Sequence, residues 1–172
     1  TVMNNIYIEL CGTYITTPEV NTSSAKIKVR TRMYNGSMAA GEYKLTTIII
    51  DPKGTEVAKS SVNHSVDPGT SYEFTSDLEV SSPELWSLET PVLYKAISEI
   101  SSADDSNPST VLDRVETNFG IRSISFDAQQ GFLLNGKPVL IKGGCVHHDN
   151  GLLGSAAFDQ AEIRRVLLMK AS

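Results

Sequence analysis

The feature that most constrains the fold is a strict alternation of side-chain character along short segments of the chain. It is clearest over residues 26–33, where every second residue is basic and the residues between them are apolar or hydroxylic. Because successive side chains of a β-strand point to opposite faces, this pattern predicts a strand with one buried and one solvated face. The two sets are Ile27, Val29, Thr31 and Met33 against Lys26, Lys28, Arg30 and Arg32.

Six further segments have the composition or alternation of strands, and polar turn signals separate several of them. The turns include Asn35-Gly36, Asp51 to Gly54 and Asp67 to Thr70. Seven short strands joined in this way are typical of an immunoglobulin-like antiparallel β-sandwich, so a mainly β fold class is predicted. The predicted strands, besides 26–33, are 6–10, 43–50, 55–66, 72–80, 92–100 and 111–119, and the alternation of 72–80 is broken at Ser76.

Composition excludes several classes of partner. The 172 residues carry a net charge of −5 and no basic run, which argues against nucleic acid and anionic membrane. No apolar run approaches the roughly 20 residues that span a bilayer, and the compartment stays open between periplasmic or secreted and cytoplasmic. Cys11 and Cys145 are expected to be unpaired and mostly buried thiols rather than a disulfide. No nucleotide-binding fingerprint is present, and no cofactor is predicted.

The stretch 131–149 differs from the alternating segments. Asn135-Gly136 between two apolar runs predicts a β-hairpin, because both turn positions tolerate positive φ. Val139 to Ile141 is wholly apolar, as in a strand buried on both faces, and it leads through Gly143-Gly144 to a polar loop. That loop contains His147, His148 and Asp149.

A helix is predicted to begin at Asp159, with Glu162 completing a capping box. An apolar strand, a polar loop at its carboxyl end and a following helix make the first unit of a (β/α)₈ barrel. The chain is thus predicted to hold a sandwich followed by a truncated first β-α portion of such a barrel.

These motifs resemble the β-galactosidase/β-glucuronidase family of glycoside hydrolases, family 2. The run Phe132 to Pro138 matches the family pattern F-x-L-N-G-K-P, followed by an apolar strand, Lys142-Gly143 and a loop histidine. Upstream, Leu85 to Tyr94 resembles the family's LW-x4-P-x-LY signature, and Phe119 to Arg122 resembles the segment that links sandwich and barrel. The resemblance implies domains over 1–126 (sandwich) and 127–172 (start of the barrel).

The resemblance also implies a function and a set of site residues. The chain would be a fragment of a retaining, β-galactosidase-like enzyme that cleaves O-glycosidic bonds of carbohydrates, and it would be inactive alone. Both catalytic glutamates of the family lie on later barrel strands, so no catalytic residue is expected here. His147 and Asp149 correspond to substrate-contacting positions; His148, also assigned to substrate binding, replaces an acidic residue common in the family.

Other interpretations of the same residues are weaker. Adjacent His-His-Asp lacks the spacing that places two metal ligands on one helix face, so no metal site is predicted. Trp86 is expected in a core or interface rather than as a sugar-stacking platform, and His64 on the surface. The partners predicted are carbohydrate and the remainder of the barrel, with a homo-oligomer through residues 131–169 left open. The alternative function is a stand-alone carbohydrate-binding or adhesive sandwich.

Overall fold

A computed structural model describes residues 4–103, 110–145, 147 and 149–171. It divides into two compact units, Thr1–Val139 and Leu140–Ser172. The first unit contains all of the described strands, and the second contains a short 3₁₀ turn, Gly151–Leu153, and one helix, α1, Asp159–Ala171. The strands are β1 Ile6–Val20, β2 Ser24–Asn35, β3 Gly41–Ile50, β4 Glu56–Val66, β5 Thr70–Ser81, β6 Tyr94–Ser102, β7 Val111–Phe119, β8 Ile124–Asp127, β9 Gly131–Leu134 and β10 Lys137–Pro138.

The first seven strands form two antiparallel sheets, in the orders β1-β2-β5 and β4-β3-β6-β7. Strand β5 lies beside β4 and β1 beside β7, so each edge of one sheet faces an edge of the other. A third small sheet, β10-β9-β8, follows them along the chain. The prediction of a mainly β, antiparallel fold is confirmed, and the two facing sheets are consistent with a sandwich.

The core of the first unit consists of two apolar clusters with a polar layer between them. One cluster centres on Ile27 and Ile49, the other on Leu45 and Phe74, and each takes residues from both sheets. The layer holds four buried hydroxyl groups joined in pairs between the sheets. Thr31 Oγ1 lies 3.2 Å from Ser98 Oγ, and Thr47 Oγ1 lies 3.0 Å from Ser76 Oγ.

The outward face of the β1-β2-β5 sheet is solvated, as the alternation in 26–33 predicts. Every basic side chain of β2 pairs with an acidic one on a neighbouring strand. Such exposed pairs contribute little individually, but they cover the sheet with compensated charge. The pairs are Lys26–Glu19 at 2.7 Å, Arg32–Glu9 at 3.1 Å, Arg30–Glu73 at 3.4 Å and Lys28–Asp77 at 3.6 Å.

Strand β1 is longer than the predicted 6–10 because it contains a β-bulge and continues beyond it. Its register against β2 shifts between Ile8 and Thr13, and Cys11 within the bulge has φ 56°. The bulge turns the Cys11 side chain out of the regular alternation, so the thiol is exposed. Cys145 lies in irregular chain of the second unit and is also exposed. The prediction that both thiols are unpaired is confirmed, and the prediction that they are buried is wrong.

The predicted strand at Val139 to Ile141 is absent from the structure. These residues are irregular chain, and Leu140 and Ile141 are 81% and 70% exposed. The Val139 amide donates to the Phe132 carbonyl of β9 at 2.9 Å, but none of the described strands pairs with Leu140 or Ile141, and a buried strand needs such neighbours. The predicted helix does begin at Asp159, but Glu162 bonds to Asn150 and Arg165, so the capping-box role is not its observed one.

Candidate functional site

The hairpin β9–β10 forms at Asn135-Gly136, as predicted. These two residues have φ 50° and 74°, the left-handed values that a tight two-residue turn requires. The Asn135 side chain then joins three segments, because its Oδ1 accepts from the Ser123 amide at 2.9 Å and its Nδ2 donates to the Trp86 carbonyl at 3.0 Å. The hairpin is thereby attached to the loop that carries the tryptophan.

Three residues of the Trp86 loop signature, Leu85, Trp86 and Tyr94, make specific contacts. Leu85 packs against the apolar cluster around Ile27. The Trp86 amide donates to the Ile121 carbonyl at 2.8 Å. The Tyr94 hydroxyl accepts from the Glu84 amide at 2.9 Å, and burial raises the pKa of Tyr94.

The indole ring of Trp86 is occupied by protein contacts. The Arg122 guanidinium lies over the ring, 4.7 Å from its centroid. On Gly120 an added Cβ would lie 2.8 Å from the Trp86 side chain, so only glycine permits this approach. These contacts agree with the expected packing role of Trp86 and leave its covered face unsuited to stacking on a sugar.

In the second unit the loop that ends at Asn150 contains the predicted substrate-contacting residues. His147 and Asp149 are both exposed, and His148 lies outside the described residues. The His147 carbonyl accepts from the Asp149 amide at 2.8 Å, and Asp149 Oδ1 accepts from the Gly151 amide at 2.9 Å. The first of these bonds brings the backbone groups of His147 and Asp149 together.

Arg165 on α1 contacts the same loop from the helix. Its Nη2 donates to the Asp149 carbonyl at 2.9 Å and to Asn150 Oδ1, and its Nη1 makes a long contact, 3.5 Å, with the His147 carbonyl. Glu162 balances the charge, with Oε2 3.5 Å from Arg165 Nη1 and Oε1 accepting from Asn150 Nδ2 at 3.3 Å. We call Asn150, Glu162 and Arg165 the Arg165 network.

The sequence analysis identified His147 and Asp149 but missed the Arg165 network. Asn150 and Arg165 lie 15 residues apart in the sequence, and the contacts of the network are polar. Hydrophobic periodicity therefore does not indicate them. The only available signal was the pair Arg164-Arg165 in the middle of an otherwise apolar helical run.

Two other classes of site are absent from the described part of the chain. No group of three or more His, Cys, Asp or Glu side chains within residues 4–103, 110–145, 147 and 149–171 is arranged to hold a metal ion. Within those same ranges, no helix has the length and apolar character needed to cross a membrane. His64 is exposed on β4, as predicted, and its ring stacks on Tyr72 with centroids 3.6 Å apart.

Comparison with known proteins identifies the family. The sequence profile of "Glycosyl hydrolases family 2" matches residues 6–122, which is most of the chain. The chain belongs to family 2 of the glycosyl hydrolases. The resemblance noted on Leu85 to Tyr94 and Phe119 to Arg122 lies within or at the end of that match, and the match covers every strand from β1 to β7.

Curated relatives of the chain are much longer than the chain itself. Beta-galactosidase BoGH2A of Bacteroides ovatus is 33% identical over 165 residues, which cover 96% of this chain and 19% of the relative. A beta-glucuronidase of Formosa agariphila is 30% identical over 136 residues, or 79% of this chain and 13% of the relative. The chain therefore spans about a fifth or less of the length of these curated relatives.

Solved structures of the family agree. A family 2 member from Bacteroides cellulosilyticus superposes with a TM-score of 0.89 at 38% identity, over 98% of this chain and 23% of the other. Bacteroides uniformis beta-glucuronidase 2, bound covalently to cyclophellitol-6-carboxylate aziridine, superposes with a TM-score of 0.85 at 32% identity, over 96% and 20%.

Proposed function

We propose that this chain is part of a β-glycoside hydrolase of family 2 that cleaves O-glycosidic bonds, with a β-galactoside as the first candidate substrate. The observation that carries the proposal is the similarity to beta-galactosidase BoGH2A over 96% of this chain. A beta-glucuronidase is also among the relatives, so β-glucuronides are the second substrate class. Both classes have a β-linked pyranose ring; they differ in the configuration at C4 and in the C6 group, which is a hydroxymethyl in one and a carboxylate in the other.

Residues 1–126 would be the immunoglobulin-like sandwich domain, and 127–172 the start of a (β/α)₈ barrel, in which the segment Val139 to Ile141, irregular in this structure, would become a strand beside its missing neighbours. In support, relatives about five times as long match both parts of the chain in order. The exposed apolar side chains of α1 also fit this proposal, since Ile163, Val166 and Leu167 would face neighbouring barrel elements that this chain does not supply.

In this proposal the loop contributes to substrate binding rather than to bond cleavage. His147, Asp149 and the neighbouring His148 would bind sugar hydroxyls, because imidazole and carboxylate groups donate and accept hydrogen bonds in fixed directions. Cleavage with retention needs two carboxyl groups about 5–5.5 Å apart, one as acid and one as nucleophile. The family places both on later barrel strands. The 172-residue chain is therefore inactive, and its sandwich has a structural role.

The experiment compares this chain with the complete gene product that contains it, using chromogenic β-galactoside, β-glucuronide and β-mannoside. We expect the chain to give only the buffer rate and the complete protein to hydrolyse one of the first two substrates. In the complete protein, His147→Ala and Asp149→Ala should each raise KM on the order of tenfold or more, since each removes direct sugar contacts.

The matched control is His64→Ala, an exposed histidine on β4 of the first unit, which should leave KM and kcat unchanged. A complete protein without glycosidase activity that still binds sugars would favour the stand-alone carbohydrate-binding or adhesive module instead. Turnover by the 172-residue chain that disappears on substitution of one of its own residues would contradict the proposed division of labour.

The proposed partner of the second unit is the remainder of the barrel. A homo-oligomer through residues 131–169 would cover the same apolar side chains by a different route. Light scattering distinguishes covering by the barrel from covering by a second copy. If the barrel covers these side chains, the complete protein should be monomeric and the 172-residue chain should self-associate. A complete protein that loses its oligomeric state on Leu167→Asp would instead support the homo-oligomer.

A further inference from the structure

The second unit is held together by polar contacts rather than by an apolar core. Among its described residues, every apolar side chain larger than alanine is exposed. The residues with reduced exposure are Asn150, Ala161, Glu162 and Arg165. The Arg165 side chain is 21% exposed, although it is the longest of the four. The order of the loop before Asn150 therefore depends on the Arg165 network.

The geometry of the network suits a guanidinium group in particular. Arg165 Nη2 donates to the Asp149 carbonyl, and Nη1 approaches the His147 carbonyl two residues earlier. These carbonyls belong to the two predicted sugar ligands themselves, so binding both restrains the backbone at each of them. A guanidinium presents its donors as a rigid planar fork, whereas an ammonium is a single point of charge on a flexible stem.

The rest of the network keeps Arg165 in this position. Glu162, one helical turn earlier, supplies the opposite charge, and its second oxygen accepts from Asn150 Nδ2. Asn150 Nδ2 also donates to the Ala156 carbonyl at 3.0 Å, which ties the loop to the segment that enters α1. Arg165 thus connects the loop to α1, and Asn150 connects it to the segment before α1, in each case through a side chain that donates to backbone carbonyls.

We infer that Arg165 is a positioning residue that holds the loop 147–150 in its sugar-binding conformation. The inference rests on the proposed function, because it requires that His147 and Asp149 contact substrate. Arg165 itself touches no substrate in this account and acts through the two carbonyls that it binds. We therefore expect the planar shape of the guanidinium, and not only its positive charge, to be required for holding the loop.

Two measurements test the inference, each on Arg165→Met and Arg165→Lys with Arg164→Met as the matched control. Arg164 is the neighbouring, exposed arginine on the same helix. In the 172-residue chain, hydrogen exchange at the Asp149 and Gly151 amides should accelerate on the order of tenfold or more in Arg165→Met. Arg165→Lys should restore only part of the protection, and Arg164→Met should match the unsubstituted chain.

In the complete protein, Arg165→Met should raise KM on the order of tenfold with a smaller change in kcat, because sugar ligands in a loosened loop bind poorly. His147→Ala serves as the reference for a lost sugar contact. Unchanged amide exchange in Arg165→Met overturns the inference, and so does full rescue by Arg165→Lys. If His147→Ala raises KM and Arg165→Met does not, the inference fails while the proposed function stands. If neither raises KM although the loop exchanges faster, the proposed substrate contact fails, and the positioning role fails with it.

Discussion

Single hydroxyl groups decide how the centre of the first unit is organised. Thr31, Thr47, Ser76 and Ser98 are all fully or almost fully buried, although their types are common on surfaces. The sequence analysis took Ser76 as a break in the alternation of its strand, whereas the structure places it on the inward side, bonded to Thr47. Hydrophobicity patterns cannot show that a buried hydroxyl has a partner on another sheet, so this feature could not be predicted.

The first prediction concerns the pair formed by Thr31 and Ser98. Ser98→Ala leaves the Thr31 hydroxyl buried without its partner, which should lower the free energy of unfolding by about 1–3 kcal/mol. Thr31→Val with Ser98→Ala removes both groups, so the double variant should be less destabilised than the sum of the single ones. Urea unfolding of the four proteins gives the coupling energy.

The matched control for this cycle is the exposed pair on β3 and β4, where Thr46 Oγ1 lies 3.1 Å from Ser61 Oγ. Water replaces a lost partner there, so Ser61→Ala should change stability by no more than about 0.5 kcal/mol. Equal effects of Ser98→Ala and Ser61→Ala would contradict the argument from burial.

The second prediction concerns Gly120. A Cβ at this position would lie 2.8 Å from the Trp86 side chain, so Gly120→Ala must displace the indole or the backbone, at a cost of about 1–3 kcal/mol. Trp86 is the only tryptophan in the sequence, so its fluorescence reports the displacement directly. Gly143→Ala, where a Cβ would meet nothing within 4 Å, is the control and should leave both emission and stability unchanged. An unaltered spectrum in Gly120→Ala would mean that the contact is looser than the geometry requires.

At the scale of elements, the seven strands of the two facing sheets could be predicted from their composition or period-two alternation and from the polar turns that separate several of them. Their ends were less accessible. Strand β1 continues to Val20 through a bulge, which interrupts the pattern, so only 6–10 was recognised. At Val139 to Ile141 the composition of a buried strand is present, but composition does not supply the neighbouring strands that such an element requires.

The third prediction concerns acid stability, which depends on carboxylates in strands and turns. Hydrogen bonding by Lys95 on β6, together with Arg114, lowers the pKa of Glu116 on β7. The backbone amides of Gln130 and Gln129 lower the pKa of Asp127 at the end of β8. A carboxyl group whose pKa is lowered in the folded state stabilises that state at pH values above the ordinary carboxyl pKa of about 4. That contribution is lost as pH falls through the lowered pKa.

Urea unfolding at pH 7, 4 and 2.5 should therefore show decreasing stability, and the decrease should be shallower in the Glu116→Gln, Asp127→Asn double variant. On the alkaline side the sign is opposite. Hydrogen bonding to Glu19 raises the pKa of Lys26, so its contribution is present below the ordinary lysine value and is lost as pH rises through the raised one. A double variant with the same acid dependence as the unsubstituted chain would show that other carboxylates dominate.

At the scale of the whole molecule, His147 and Asp149 are candidate sugar ligands because of the family resemblance, since nothing in their local pattern separates a sugar ligand from an ordinary loop residue. Arg165 could not be predicted, because a side chain that binds backbone carbonyls 16 and 18 residues away leaves no periodic signal. The positioning role of Arg165 can therefore fail while the proposed substrate contact stands, but it cannot stand if that contact fails.

The last prediction concerns where the independently folding part of the chain ends. The sequence places the boundary after Phe126, and this stays a prediction. In the structure, however, the first compact unit includes the hairpin, with the Phe126 and Phe132 rings 5.5 Å apart, Leu134 buried, and Asn135 bonded to the Trp86 loop. A polypeptide that ends at Val139 should unfold cooperatively and be more stable than one that ends at Phe126.

The expected difference is about 2–4 kcal/mol, from burial of one leucine side chain and the hydrogen bonds of Asn135. Thermal unfolding by circular dichroism should show it as a lower melting temperature for the shorter chain. Asn135→Ala in the longer chain isolates the amide contacts and should account for only part of the loss, since Leu134 remains buried. Equal stability of the two polypeptides would mean that the hairpin contributes nothing to the sandwich, and it would favour assigning residues 127 onward to the barrel.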